Sequence, residues 1–226
     1  MTGILLVDKP AGPSSAQVAA VVKHLTGSPR VGHGGTLDPF ATGLLPVLVG
    51  REFTREADRL LAGDKAYRVT VRLGSETDTC DLTGRVVGVG SRPLPSRDAI
   101  AAVLPAFTGE VMQEPPVFSA LKVAGKPMYW YARKGRAVTP EARPVRIDAI
   151  DLVEWIEPDL VLDVRCGKGA YMRSLGRDVG RALGCLGHLV ALRRTAVGPF
   201  SVADAVPLHR IESGGRAAMP GWLRSA

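Results

Sequence analysis

Gly32-His33-Gly34-Gly35-Thr36-Leu37-Asp38-Pro39-Phe40-Ala41-Thr42-Gly43 is the stretch on which the reading of this chain turns. Four glycines and one proline in twelve residues demand unusual backbone dihedrals and leave room for a ligand close to the main chain. A phosphate cradle is one reading of such a loop. The Lys-Ser/Thr ending of a P-loop is missing, however, and the spacing does not fit the dinucleotide-binding fingerprint. Taken alone, Asp38-Pro39 is a plain turn and His33 an ordinary surface or core histidine.

Upstream of the loop, Ile4 to Val7 predicts a short buried strand, broken by Lys9-Pro10-Ala11-Gly12-Pro13. Ser14 and Gln17 have capping-box spacing, and Val18, Val21, Val22 and Leu25 follow at helical intervals. An amphipathic helix therefore runs as far as Gly27 and Pro29. Downstream, Leu44 to Val49 predicts a strand with Pro46 near a sheet edge. Tyr67 to Leu73 alternates as a strand, Gly74 to Gly84 is a polar turn region, and Arg85 to Val89 is a further strand. Ser96 caps a helix whose Ile100, Val103, Leu104 and Phe107 share a face. Gln113 to Gly135 carries prolines, lysines and aromatics and predicts an ordered surface insertion. Val145 to Val153 and Leu160 to Cys166 predict an antiparallel pair, and Met172 to Leu183 a helix with Gly184 past its end. Leu189 to Val197 is a last strand, and the Gly-, Arg- and Ser-rich stretch after Leu208 predicts a poorly ordered tail. Strands and helices mix without strict alternation or repeat, so the class is α+β.

The 226 residues, 46% of them hydrophobic, suffice for one large core or a core with a small appendage. Lys and Arg outnumber Asp and Glu by 29 to 22, giving +7, which favours a polyanionic partner and nucleic acid first. Cys80, Cys166 and Cys185 stand far apart without a CxxC pair. That spacing disfavours a zinc ribbon or a redox dithiol and predicts reduced, buried thiols. The N-terminus meets a charge after four apolar residues, which excludes the apolar region of a signal peptide. No uncharged apolar stretch approaches the ~20 residues of a membrane span. The expectation is a soluble, cytoplasmic protein with no membrane contact.

Further segments stand in fixed order around the loop. They are Gly3-Ile4-Leu5-Leu6-Val7-Asp8-Lys9-Pro10 with Ser14-Ser15, Asp64-Lys65-Ala66-Tyr67-Arg68-Val69, and Arg72-Leu73-Gly74 with Thr77-Asp78-Thr79-Cys80-Asp81. Next come Pro115-Pro116-Val117-Phe118-Ser119-Ala120-Leu121-Lys122 with Tyr129 and Ala132-Arg133-Lys134-Gly135. Cys166-Gly167-Lys168-Gly169-Ala170-Tyr171-Met172-Arg173-Ser174-Leu175, and His188 with Leu192-Arg193-Arg194, complete the set. Over residues 3 to 208 this ordered series resembles the bacterial tRNA pseudouridine synthase B family, which acts on the T-loop uridine at tRNA position 55. The resemblance implies a pseudouridine synthase catalytic fold over 1–210: a mixed, mainly antiparallel central sheet flanked by helices, with an RNA-gripping insertion at about 75–145. Residues 211–226 would be a short tail, too short for the C-terminal RNA-binding domain of many relatives. The segment Arg51-Glu52-Phe53-Thr54-Arg55 is one residue longer than the family's motif there, which shifts the helix expected after Gly50.

The implied reaction breaks the N1–C1′ bond of uridine, turns the detached uracil and rejoins it through C5. Breaking a glycosidic bond builds positive charge on the sugar, which a carboxylate can stabilise or trap. The resemblance makes Asp38 that nucleophile, whether it attacks C1′ or adds to uracil C6, with Arg173 as the guanidinium that favours its anion. It gives Tyr67 the stacking face for the target uracil and a part in removing the C5 proton. Tyr171 packs under the pocket, and His33 stacks where the flipped base has left. Lys9, Lys122, Arg133 and Arg193 are expected RNA contacts. Lys126, Lys134, Arg136, Arg143 and Arg146, with Phe118, Tyr129, Trp130 and Tyr131, fill out a surface suited to an RNA arm. The partner is tRNA through its T-stem-loop, with no cofactor and no metal, and the chain is expected to be a monomer. Two rival readings are a non-catalytic binder of structured RNA and a glycoside hydrolase that pairs Asp38 with Asp78 or Asp81.

Overall fold

The computed structural model describes residues 1–119, 122–123, 126–128 and 141–225. The chain begins with β1 (Gly3–Lys9), α1 (Ser15–Thr26), β2 (Val31–His33), β3 (Thr42–Val49), α2 (Arg51–Arg55), α3 (Ala57–Leu60) and β4 (Lys65–Leu73). It continues with β5 (Ser75–Thr77), β6 (Val86–Val89), α4 (Arg97–Val103), β7 (Gly109–Gln113), β8 (Lys122–Val123), β9 (Lys126–Pro127), β10 (Arg143–Ile156) and β11 (Asp159–Cys166). The last elements are α5 (Met172–Ala182), β12 (Gly187–Val197), β13 (Phe200–Ser201), β14 (Val206–Pro207), α6 (Leu208–Trp222) and β15 (Leu223–Arg224). The described residues fall into two compact units, Met1–Tyr67 with Leu192–Ala226, and Arg68–Ala191.

In the first unit the strands run β14-β1-β3-β12, with β2 on β3, β13 on β12 and β15 on β1. β1 and β3 are antiparallel from Gly3↔Val49 to Lys9↔Gly43, and β12 joins β3 in parallel through Arg193↔Thr42 and Arg194↔Gly43. Side chains alternate across a strand. Ile4, Leu6, Leu44 and Leu48 thus share one buried face with Val197, covered by Phe53, Ala57, Leu60 and Leu61. Helix α1 follows its sequence signals. Ser14 and Gln17 form a reciprocal capping box, and Gly27 ends the helix at φ 65°.

Two expectations are corrected here. β3 lies between β1 and β12 rather than at an edge. It tolerates Pro46 because β2 stops pairing at His33↔Val47, and on that flank only the Pro46 carbonyl is engaged, by Gly34 N–H at 2.8 Å. The stretch after Leu208 is ordered. It forms α6, kinked at Gly215, which buries Leu208, Ile211 and Met219 and packs with α1 and β1. A face of three apolar residues compensates for a Gly- and Arg-rich composition.

In the second unit the order is β12-β4-β11-β10-β7. β10 and β11 form the predicted antiparallel pair, longer than expected, and β7 adds antiparallel to β10. On the outward side of β4, Arg68 and Arg72 form forked ion pairs with Asp163 and Asp159 of β11. Being exposed to solvent, which screens them, these pairs contribute little to stability. Helix α5 lies close to the start of β12. A Cβ on Gly180 would stand 2.3 Å from Gly187 N and 2.4 Å from the Leu186 carbonyl carbon, so only glycine permits this approach. That contact fixes the helix that carries Arg173.

Candidate active site

The glycine-rich loop is clamped at the peptides on either side of Asp38. Ser15 Oγ donates to the Leu37 carbonyl at 3.1 Å and accepts from Leu37 N–H at 2.8 Å. Gly12 N–H donates to the Pro39 carbonyl at 2.8 Å, and Lys9 Nζ donates to the same oxygen at 3.2 Å and to the Pro10 carbonyl at 2.8 Å. Ala41 N–H closes the Asp38 turn onto the Asp38 carbonyl at 3.1 Å. The capping helix and the Lys9-Pro10 turn thereby fix the backbone around a half-buried carboxylate. The Asp-Pro turn expected of an isolated motif is present, but it is held by three separate segments of the chain.

Lys9 was expected to touch RNA. Its side chain is instead wholly buried beneath the loop, its ammonium on backbone carbonyls. Burial lowers its pKa from 10.5 to about 8, and the nearby Asp38 charge works against that fall. A buried cation therefore sits beside the candidate nucleophile.

Tyr67 is buried near the start of β4, and it acts electrostatically on Arg194, holding up a guanidinium pKa that burial lowers. Arg194 is itself only 1% exposed. His33 ends β2 with its Nδ1 buried and unpartnered. Burial and the Arg194 charge hold the imidazole below its usual pKa, so at neutral pH it is an uncharged ring, suited to stacking. Arg193 makes a forked ion pair with Asp8 at 3.0 and 2.8 Å. The pair borders a cavity of about 290 Å³ that is also lined by Thr42, His209 and Glu212.

Arg173 belongs to the second unit, near the start of α5, and is buried. It donates to the carbonyls of Thr79 at 3.1 Å and Phe118 at 2.9 Å, and it lies 3.6 Å from the carboxylate of Asp81. Asp81 also accepts from Thr79 Oγ at 2.8 Å and Thr83 N–H at 2.9 Å. A carboxylate with this many donors is committed to orienting Arg173. Asp78, the other carboxylate considered for a hydrolase, accepts from Arg85 N–H at 2.9 Å. Tyr171 precedes α5. Its backbone is held by Gln113 at 2.7 and 3.1 Å, and the Arg143 guanidinium lies over its ring at 5.3 Å.

Of the expected RNA-gripping residues, Lys122 opens β8, paired with Pro127. Arg133, Lys134, Arg136, Tyr129, Trp130 and Tyr131 lie outside the described residues. Arg146 of β10 is paired with Asp148. Among the described residues no group of three or more His, Cys, Asp or Glu side chains is gathered to hold a metal ion.

A mixed sheet with flanking helices and an aspartate turn clamped in a glycine-rich loop places the chain in the class of pseudouridine synthases, which are isomerases. The family model described as TruB family pseudouridylate synthase (N terminal domain) matches residues 23–172. A second, described as tRNA pseudouridylate synthase B C-terminal domain, matches residues 173–218. The chain belongs to the TruB family of pseudouridylate synthases. A tRNA pseudouridine synthase B of Gluconacetobacter diazotrophicus is 49% identical over 210 residues, covering 92% of this chain and 68% of the relative. That of Aromatoleum aromaticum is 47% identical over 211 residues, covering 93% and 68%. A chain of the crystallised Cbf5-Nop10-Gar1 complex superposes with a TM-score of 0.72 at 32% identity, covering 93% of this chain and 54% of that one. The present chain thus spans about two thirds of the bacterial relatives and about half of that structural one.

Proposed function

We propose that this chain converts the uridine at position 55 in the T-loop of tRNA to pseudouridine, binding the T-stem-loop as a monomer and needing no cofactor. The observation that carries the reading is the clamped Asp38 turn, with Lys9 and Tyr67 contributed by the same unit. In this reading the target base leaves its stack, and His33 takes its place. Asp38 stabilises or traps the sugar, or the uracil at C6, as the N1–C1′ bond breaks. Arg173, oriented by Asp81, is the guanidinium this reading assigns to the reaction. Tyr67 stacks on the uracil and accepts the C5 proton after the base has rejoined the sugar through C5. Tyr171 supports the pocket. Lys122, Arg133 and Arg193 contact the RNA, whereas buried Lys9 supports the loop rather than the nucleic acid.

The test is tritium release from a C5-tritiated, unmodified tRNA transcript and from its isolated T-arm, with Asp38→Asn as control. Release by the native chain alone, mapped to the T-loop uridine, is the expected result. RNA binding without release from either substrate would overturn the enzyme reading in favour of a binding module.

A further inference from the structure

Gln113 is the last residue of β7 and is only 3% exposed, and the sequence reading gave it no role beyond opening the insertion. Its side-chain amide grips one residue twice. Oε1 accepts from Tyr171 N–H at 2.7 Å, and Nε2 donates to the Tyr171 carbonyl at 3.1 Å. A primary amide offers a peptide both an acceptor and a donor in one plane. Tyr171 is the N-cap of α5, the place where a helix usually needs a side-chain cap, yet its own side chain makes no capping hydrogen bond. The Tyr171 carbonyl accepts the first helical bond, from Leu175 N–H at 3.1 Å, and Gln113 holds that same oxygen. The start of α5 is therefore set by a residue 58 positions away on another strand.

The neighbouring contacts act on the same turn. The Glu114 carbonyl accepts from Ser174 Oγ at 2.7 Å and from Arg177 Nη2 at 3.1 Å. Arg143, paired in register with Gln113, places its guanidinium over the Tyr171 ring and donates to the Gly169 carbonyl at 3.3 Å. Arg173 stands two residues beyond Tyr171. Its guanidinium is held by the Thr79 and Phe118 carbonyls and by Asp81, but its backbone starts from the peptide that Gln113 grips. All of these residues belong to the second unit.

We propose that Gln113 is a positioning residue for Arg173, fixing the peptide from which the first turn of α5 begins. The inference rests on the function proposed above, in which Arg173 serves the reaction. Gln113 touches neither base nor sugar in this account. It acts through the Tyr171 backbone.

The experiment measures kcat and KM for tritium release from C5-tritiated whole tRNA transcripts, at a temperature where circular dichroism shows each variant folded. The variants are Gln113→Met, Arg173→Lys, their double variant, and Ile100→Val, which removes a buried methyl group from α4 of the same unit. Gln113→Met fills the same volume but leaves the Tyr171 peptide ungripped. It is expected to lower kcat about 10²-fold, the scale of a misplacement of about 1 Å, with KM unchanged because the proposed RNA contacts are untouched. Ile100→Val should keep the native kcat, and the double variant should be no slower than Arg173→Lys.

A native kcat in Gln113→Met, with only its melting temperature lowered, would overturn the proposal, since a purely structural residue behaves in that way. A raised KM at native kcat would do the same, by assigning Gln113 to RNA binding. So would multiplicative losses in the double variant, or an equal loss of kcat in Ile100→Val. If Gln113→Met does not fold, Gln113→Asn is read by the same criteria, because its shorter amide cannot make both bonds in the native geometry. If the Arg173 variants do not fold, the split between kcat and KM, set against Ile100→Val, decides alone. Arg173→Lys at the native rate would remove Arg173 from the reaction and this inference with it. A slow Arg173→Lys beside a native-rate Gln113→Met would remove Gln113 only.

Discussion

Replacing Gly43 by alanine puts the architecture of the Asp38 loop to a direct test. Gly43 has φ +100°, and a Cβ there would stand 2.3 Å from the Arg194 carbonyl oxygen, 2.8 Å from its nitrogen and 3.0 Å from its carbonyl carbon. All three are backbone atoms of the strand paired in register with Gly43, so no rotamer change relieves the clash. The unfavourable dihedral costs about 1–3 kcal/mol. Parting packed strands adds about 1–3 kcal/mol more. Gly12→Ala is the matched control, because Gly12 has φ +110° and nothing within 4 Å of its would-be Cβ. It bears the dihedral cost alone, so the difference between the two variants isolates the clash. For a chain of this size that difference corresponds to roughly 2–12 °C in melting temperature. Differential scanning calorimetry reads it, and the tritium assay should show a lower kcat for Gly43→Ala, since Gly43 ends the loop that holds Asp38. If Gly43→Ala melts as high as Gly12→Ala and turns over at the native rate, the β3–β12 contact does not set the loop.

Three further outcomes are expected. Ile211 is 0% exposed in α6, so Ile211→Ala should cost about 2–5 kcal/mol in urea denaturation; a neutral result would return residues 208–222 to the status of a loose tail. Asp81→Asn removes a buried counter-charge from Arg173, a loss of about 3–5 kcal/mol in pairs of this kind. The same denaturation reads it, and a change below about 1 kcal/mol would show that the pair contributes little. Lys9 has a folded pKa of about 8 against an ordinary 10.5, so between these values the unfolded chain binds more protons and stability rises with pH. Relative to Lys9→Met, the native chain should therefore gain stability between pH 8 and pH 10, and a pH-independent difference would contradict the burial argument.

Local signals were legible where a few neighbouring residues suffice to specify a structure. The Ser14–Gln17 box, the Gly27 stop, the alternation of β4 and the β10–β11 pair all rest on contacts within or between adjacent segments. The α6 helix was missed because Leu208, Ile211 and Met219 share a face only at the spacing i, i+3, i+11, diluted by glycine and arginine. That spacing was the signal available. Lys9 was misplaced for a different reason. A lysine beside a proline turn belongs on the surface by composition, and only the arrival of Pro39, thirty residues on, supplies a buried acceptor. The partnership of Asp81 with Arg173 bridges ninety-two residues and leaves no local trace. Arg194 did leave one: two consecutive arginines in an apolar strand must point to opposite faces, and here one of those faces is buried on the side of Leu192.

The two buried arginines solve the problem of a desolvated cation differently, and the difference bears on what each can do. Arg173 lies 3.6 Å from Asp81, so much of its field is cancelled and its orientation is what the pair secures. Arg194 has carbonyls where Arg173 has a carboxylate, and burial pushes its pKa below the usual guanidinium value, with Tyr67 alone drawing it back up. A leucine or methionine could fill that volume between β3 and β12 without burying a charge, and replacing buried charges by apolar groups of similar volume is often neutral or stabilising. Loop closure accounts for three of the hydrogen bonds but does not require a positive charge, since neutral amide donors would serve the same carbonyls. The three backbone contacts therefore do not by themselves account for a charged side chain at this position.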